Sequence, residues 1–202
     1  MTNPPKLKQK LEVKKYHGIE IKDEYSWIHQ KNILEVLKDS SKLNPEVRKY
    51  LEEENAFTKF QMKDAEKCQK KLFKEIKGRI KLDDESLHFF YKKDGWEYWT
   101  KTTKENNYSI LLRKKMDDSK DKAEEYWNGD KEKKKLGASY FGVGDLAVSH
   151  DHSLLGYSLD LNGSEYYTIH IRRITDEKIV TEKIENTSGG ITFSKDSKYI
   201  FY

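Results

Sequence analysis

Several short stretches of this sequence carry residue types that could do chemistry. His150-Asp151-His152 sets an imidazole on either side of a carboxylate, a donor set suited to a divalent metal. Gly137-Ala-Ser139-Tyr-Phe-Gly142 holds a serine between glycines, and acyl transfer on a hydrolase fold needs such a serine on a strained strand-to-helix elbow. Gly142-Val-Gly144 would suit a phosphate if it opened a helix. Trp96, Tyr98 and Trp99 could form a ring platform for a ligand, and Cys68 is the one thiol.

Each stretch also has a plainer reading, decided by the elements that would position it. The serine segment has one residue too many for G-x-S-x-G and runs into strand-like sequence, as does the Gly-x-Gly pair, so neither an elbow nor a phosphate loop is expected. Trp96, Tyr98 and Trp99 stand at strand spacing and read as core between packed sheets. Cys68 lies on an apolar helical stripe and reads as a small buried hydrophobe. The Asn-x-Ser patterns at Asn107, Asn162 and Asn186 matter only in a secreted chain, and the start MTNPPKLKQK has no apolar stretch of a signal peptide.

The stripe begins where Asn44 can cap a helix, Pro45 suits its first position and Glu46 favours its positive end. Val47, Tyr50, Leu51, Phe57, Met62, Ala65, Cys68, Leu72, Phe73 and Ile76 then recur at three- and four-residue steps towards Gly78, predicting one long helix within a helical segment at 44–86. Residues 1–43 read as a docking arm anchored by Tyr16, Ile19, Ile21, Tyr25, Trp27 and Ile28. From 87 the apolar period shortens to two. Hairpins are expected about Asp94-Gly95 and, as a two-residue primed turn, about Asn162-Gly163, with 115–139 between them as a long charged surface loop that has room for one helical turn.

An internal repeat organises this second half. Leu146–Tyr157 aligns with Ile191–Tyr202, superposing Ser149 on Ser194, Asp151 on Asp196 and Tyr157 on Tyr202 at a spacing of 45 residues. That period, with a Ser-x-Asp turn between two strands, is what a β-propeller blade requires. The fold class expected is therefore mainly β with a helical N-terminal segment: a partial β-propeller with blade 1 at about 87–140, blade 2 at about 141–186 and the start of blade 3 at about 187–202. The repeat also weighs against the metal reading, because His150 and His152 are replaced by Lys195 and Ser197 while only the aspartate recurs; a solvent-facing turn is expected. Propellers close at about 4–8 blades, so about two and a half imply the front of a longer chain.

Composition bounds the partners. The 202 residues include 37% charged and 35% hydrophobic side chains, but four Trp, thirteen Tyr and eight Phe argue for a folded, thinly cored protein over a disordered one. A net charge of +4 is too small to drive nucleic-acid binding, and the Lys131–Lys135 run reads as a solvated loop. No stretch is apolar enough for a membrane span, so neither nucleic acid nor membrane is expected as a partner, and the cytoplasm is the default location.

Specific motifs then point to a family. His17-Gly18 followed by Asp23-Glu-Tyr25-Ser-Trp27, YLEEENAFT at Tyr50–Thr58, LFKEIKGRIK at Leu72–Lys81 and IENTSGGI at Ile184–Ile191 resemble the N-terminal part of the prolyl oligopeptidase family of serine peptidases, and its oligopeptidase B branch in particular. The resemblance runs from about Pro4 to Tyr202, with departures at Ile28-His29, Leu87-His88 and His150. It implies a seven-bladed propeller over an α/β-hydrolase domain, downstream in the same polypeptide, that cleaves short peptides after Lys or Arg. The propeller side would gate that site and the helical front would dock on the hydrolase. It implies no catalytic, cofactor-binding or metal-binding residue in this segment and no cofactor, since a hydroxyl nucleophile with a histidine base needs none. A stand-alone partial-propeller interaction module, without catalysis, is the alternative.

Overall fold

The computed structural model describes residues 3–91 and 94–202, which divide into two compact units, Met1–Ile80 and Lys81–Tyr202.

In the first unit β1 (Glu12–Tyr16) pairs antiparallel with β2 (Ile19–Asp23) across a turn in which His17 and Gly18 both take positive φ. A short α1 (Ile33–Lys38) follows. Asn44 then caps α2 (Pro45–Gln61) as expected, its side-chain oxygen accepting from the N–H groups of Glu46 (2.8 Å) and Val47 (3.4 Å). The single long helix is not formed. A 3-10 turn at Lys63–Ala65 separates α2 from α3 (Glu66–Gly78), and the helical run stops there. Apolar spacing runs through the break because a 3-10 turn also returns a side chain to the same side every three residues. Cys68 is exposed, not buried, and so are Leu51, Leu72, Phe73 and Ile76 of the same stripe; in α2 and α3 only Val47 is buried.

The second unit holds two sheets and the start of a third. β3 (Asp84–Glu85), which sequence placed in the helical segment, and β4 (Phe89–Tyr91) both pair with β5 (Trp96–Thr102), followed by β6 (Ile110–Lys115) and β7 (Glu124–Asn128). The expected charged loop at 115–139 thus contains a strand and a two-turn helix, α4 (Gly129–Leu136). Trp127 explains the strand, being buried at 2% exposure, and Asn128 caps the helix by accepting from the Lys131 N–H at 3.1 Å. Gly137 ends the helix in the left-handed conformation, φ 61°.

β8 (Gly142–Val148), β9 (Leu154–Asp160), β10 (Tyr167–Arg173) and β11 (Ile184–Thr187) form a four-stranded antiparallel meander, and β12 (Thr192–Phe193) pairs with β13 (Ile200–Phe201). The Asn162-Gly163 turn is not a two-residue turn. β9 ends at Asp160 and β10 begins at Tyr167, so six residues span the gap, held by the Asp160 carboxylate, which accepts from the N–H groups of Asn162, Gly163 and Glu165 at 2.8–3.0 Å. The other hairpin is centred where expected, with Gly95 at φ 67°; Lys92 and Lys93 of its loop lie outside the described residues.

Side-chain alternation assigns each face. Leu155, Tyr157 and Leu159 of β9 pack with Trp127, Phe141 and Ile174. Ile169 and Ile171 of β10 pack on the other side with Ile191 and Phe193. A side chain at Gly156 would press within 3.2 Å of Ile191, Ile171 and Phe193, so glycine is what lets the β12–β13 pair approach.

Candidate functional site

The Ser-x-Asp turn appears twice with one geometry. Ser149 Oγ donates to Asp151 Oδ1 at 2.6 Å and accepts from the Leu154 N–H at 2.8 Å; Ser194 Oγ donates to Asp196 Oδ1 at 2.6 Å and accepts from the Tyr199 N–H at 3.0 Å. The residue after each aspartate is left-handed, His152 at φ 62° and Ser197 at φ 59°. The first sheet has a counterpart in Asp94-Gly95, where Gly95 after the aspartate is also left-handed at φ 67°.

His152 is the point at which the solvent-facing turn expected for His150-Asp151-His152 fails. His150 is exposed, but His152 is buried because its left-handed backbone turns the ring onto the first sheet. There its Nδ1 lies 2.8 Å from the Tyr98 hydroxyl, its ring stacks on Tyr98 and Trp96 with centroids 5.7 Å away, and Tyr91 meets it edge-on at 5.4 Å. Burial pushes its pKa below the usual imidazole value, Arg113 and Lys115 push the same way, and Asp94 opposes them, so the ring is neutral at pH 7. Among the described residues no group of three or more His, Cys, Asp or Glu side chains could hold a metal ion.

Arg113 of β6 locks this contact. At 2% exposure, its Nη1 donates to the His152 carbonyl (2.5 Å), its Nε donates to Glu124 (2.6 Å), and its guanidinium lies 4.4 Å from the Trp96 ring centroid. A second arginine crosses the same seam. Arg172 of β10, also 2% exposed, donates to Glu132 of α4 (2.5 Å) and to the Tyr126 carbonyl (3.1 Å) between the Trp127 and Tyr157 rings. Neither arginine was picked out from the sequence, where each is one basic residue in an alternating run; the usable signal was strand alternation, which puts Arg172 on the Tyr157 side of the sheet.

Between the two sheets, where the β4–β5 hairpin meets the His152 turn, lies a cleft of about 300 Å³. Phe89, Tyr91, Tyr98 and Tyr126 supply aromatic walls, Leu146 and Val148 aliphatic ones, and Asp94 and His152 the polar end. No lysine or arginine is among the described residues lining it. Trp96 and Tyr98 thus act as inter-sheet core, as expected, while Trp99 points from the opposite face of β5, stacked on His88 at 4.5 Å. Ser139 sits exposed in a bend that leads into β8, and Gly142 and Gly144 lie within that strand, so neither opens a helix.

A family model described as the prolyl oligopeptidase N-terminal β-propeller domain matches residues 4–202. Among curated proteins, the chain is 30% identical over a 213-residue alignment to dipeptidyl aminopeptidase BI of Pseudoxanthomonas mexicana, covering 100% of this chain and 28% of the relative. It is 24% identical to protease 2 of Moraxella lacunata, covering 92% and 26%. Among solved structures, oligopeptidase B of Leishmania major superposes with a TM-score of 0.75 at 21% identity, over 96% of this chain and 28% of that one. The chain therefore spans under a third of the length of the relatives it matches, and its sheets are those of a partial β-propeller.

Proposed function

Since the chain belongs to the prolyl oligopeptidase family, through that family's N-terminal propeller domain, we propose that it serves as the propeller-side portion of a serine oligopeptidase that hydrolyses short peptides. In this reading the chain gates and docks onto an α/β-hydrolase domain of the same polypeptide, which supplies the serine, acid and histidine. The observation that carries it is the match of nearly the whole chain to that propeller domain, with the chain covering under a third of the length of its peptidase relatives. The exposed stripe of Leu51, Leu72, Phe73 and Ile76 supports docking, because water-facing apolar residues aligned on helices mark a surface that associates.

Cleavage after Lys or Arg is the first reading of specificity, in keeping with the oligopeptidase B likeness of the motifs. The relative at 30% identity is named a dipeptidyl aminopeptidase, which favours removal of dipeptides from a free amino end as the second. One experiment separates them. The native gene product, captured from its own cells with an antibody to this chain, is offered a fluorogenic Arg-Arg substrate with its amino end blocked and the same substrate unblocked. Hydrolysis of both supports the first reading and hydrolysis of the unblocked form alone supports the second. Hydrolysis of neither, with no labelling by a serine-directed phosphonate, refutes the peptidase proposal.

A further inference from the structure

The inter-sheet cleft holds a polar group that the packing does not satisfy. His152 Nε2 is buried and has no hydrogen-bond partner. Its nearest anion, Asp94 Oδ2, stands 3.5 Å away, beyond good N–H···O distance. The protonation of that nitrogen follows from its surroundings. With the Tyr98 hydroxyl, 2.8 Å away, taken as the donor to His152 Nδ1, the ring proton is left on Nε2. The cleft therefore offers a buried N–H donor beside a half-exposed carboxylate, at the end of a chamber walled by rings and aliphatic side chains. An unmet donor of this kind costs free energy until an acceptor reaches it.

A ligand that satisfies both groups carries a cation and a neutral acceptor a few ångströms apart. In an aminoacyl group the α-nitrogen and the carbonyl oxygen of the same residue lie about 2.7–3.6 Å apart, from standard backbone dimensions. This brackets the 3.5 Å between Asp94 Oδ2 and His152 Nε2. The charge also matches, because Asp94 is the one formally charged residue among the described lining and His152 is neutral. A free amino acid fits less well, since its carboxylate would face Asp94.

We propose that this cleft captures the amino-terminal residue of a peptide: Asp94 accepts from the α-ammonium, His152 Nε2–H donates to the first carbonyl, and Phe89, Tyr91, Leu146 and Val148 enclose an apolar side chain. Capture of a terminal amine by a few convergent groups is a recurrent mode of peptide recognition. The inference rests on the cleft and not on the peptidase reading, and its test measures binding without turnover.

The test titrates the full chain with phenylalanine amide, N-acetyl-phenylalanine amide and free phenylalanine, following the histidine ring protons by NMR. Phenylalanine amide is expected to move the His152 signals and to bind at least tenfold tighter than either comparator. Asp94→Asn, in a half-exposed turn, is expected to keep the fold by circular dichroism and to lose that tenfold preference. Equal binding of the acetylated amide, an unchanged preference in the folded Asp94→Asn variant, or no shift of the His152 signals with phenylalanine amide would each overturn the proposal.

Discussion

Removing one member of the Arg172–Glu132 pair should destabilise the chain far more than removing both. Arg172 is 2% and Glu132 7% exposed, so each charge has given up most of its hydration. Without Glu132 the guanidinium keeps only the Tyr126 carbonyl and Glu177 Oε2 at 3.9 Å. Breaking a buried pair in this way costs about 3–5 kcal/mol. The intact pair is itself incomplete, because Arg172 Nε has no hydrogen-bond partner, so part of the desolvation cost is never recovered. A methionine at 172 facing a leucine at 132 would pack against Trp127 and Tyr157, and the double variant should fall within about 1 kcal/mol of the parent. The assay is urea unfolding of the full chain, followed by tryptophan fluorescence and circular dichroism. With a urea slope of about 2 kcal/mol/M, Glu132→Leu and Arg172→Met should each lower the midpoint by roughly 1.5–2.5 M, and the double variant by under about 0.5 M. A double variant no better than the worse single one, or singles that each cost under about 1 kcal/mol, would refute the pairing argument.

Other outcomes follow from the same geometry. Burial pushes the pKa of Asp160 up, but hydrogen bonds from the N–H groups of Asn162, Glu165 and Gly163 outweigh it and hold the carboxyl below its usual value. Its contribution is therefore full above about pH 4 and lost as pH falls through the folded value, so Asp160→Asn should flatten the acid limb of a stability-against-pH curve; an unchanged limb refutes this. Gly189→Ala should lower Tm by several degrees, because Gly189 sits at φ 94° and a Cβ there would lie 2.9 Å from the Tyr167 ring; a loss under about 0.5 kcal/mol would show that the ring yields freely. Cys68, exposed on α3, should react with a thiol reagent in the folded chain as fast as in urea, and protection above tenfold would contradict the described surface.

The parts of the fold legible in the sequence were those in which one local interaction decides the backbone. The Asn44-Pro45 cap and the Ser-x-Asp turns are satisfied by their own side chains, whatever packs around them. The misreadings arose where a neighbour decides. The run 115–139 looked solvated because charge dominates it, yet Trp127 needs a strand so that its ring reaches Tyr157, 5.1 Å away. Asn162-Gly163 carries a turn signal, but Asp160, the last residue of β9, organises a longer loop with its carboxylate. Periodicity assigned Cys68 to a face without saying what covers that face, and the described chain leaves it exposed.

The candidate site was hidden for a related reason. The repeat compares positions and says nothing about neighbours, so the solvent-facing reading of His152 took Ser197 as its guide. The two residues do share one role. His152 faces Asp94 of the preceding sheet, and Ser197 Oγ accepts from the N–H of Asp151 of the preceding turn at 3.1 Å. Both are left-handed and both follow an aspartate, as does Gly95 after Asp94. The unit of assembly is thus a pair, an aspartate followed by a residue forced into the left-handed region, and that residue reaches back to the aspartate of the sheet before it. Serine makes this link with a short hydroxyl. Histidine faces the aspartate with a ring whose Nε2 stays 3.5 Å from the carboxylate and has no hydrogen-bond partner, and the cleft lies at this seam.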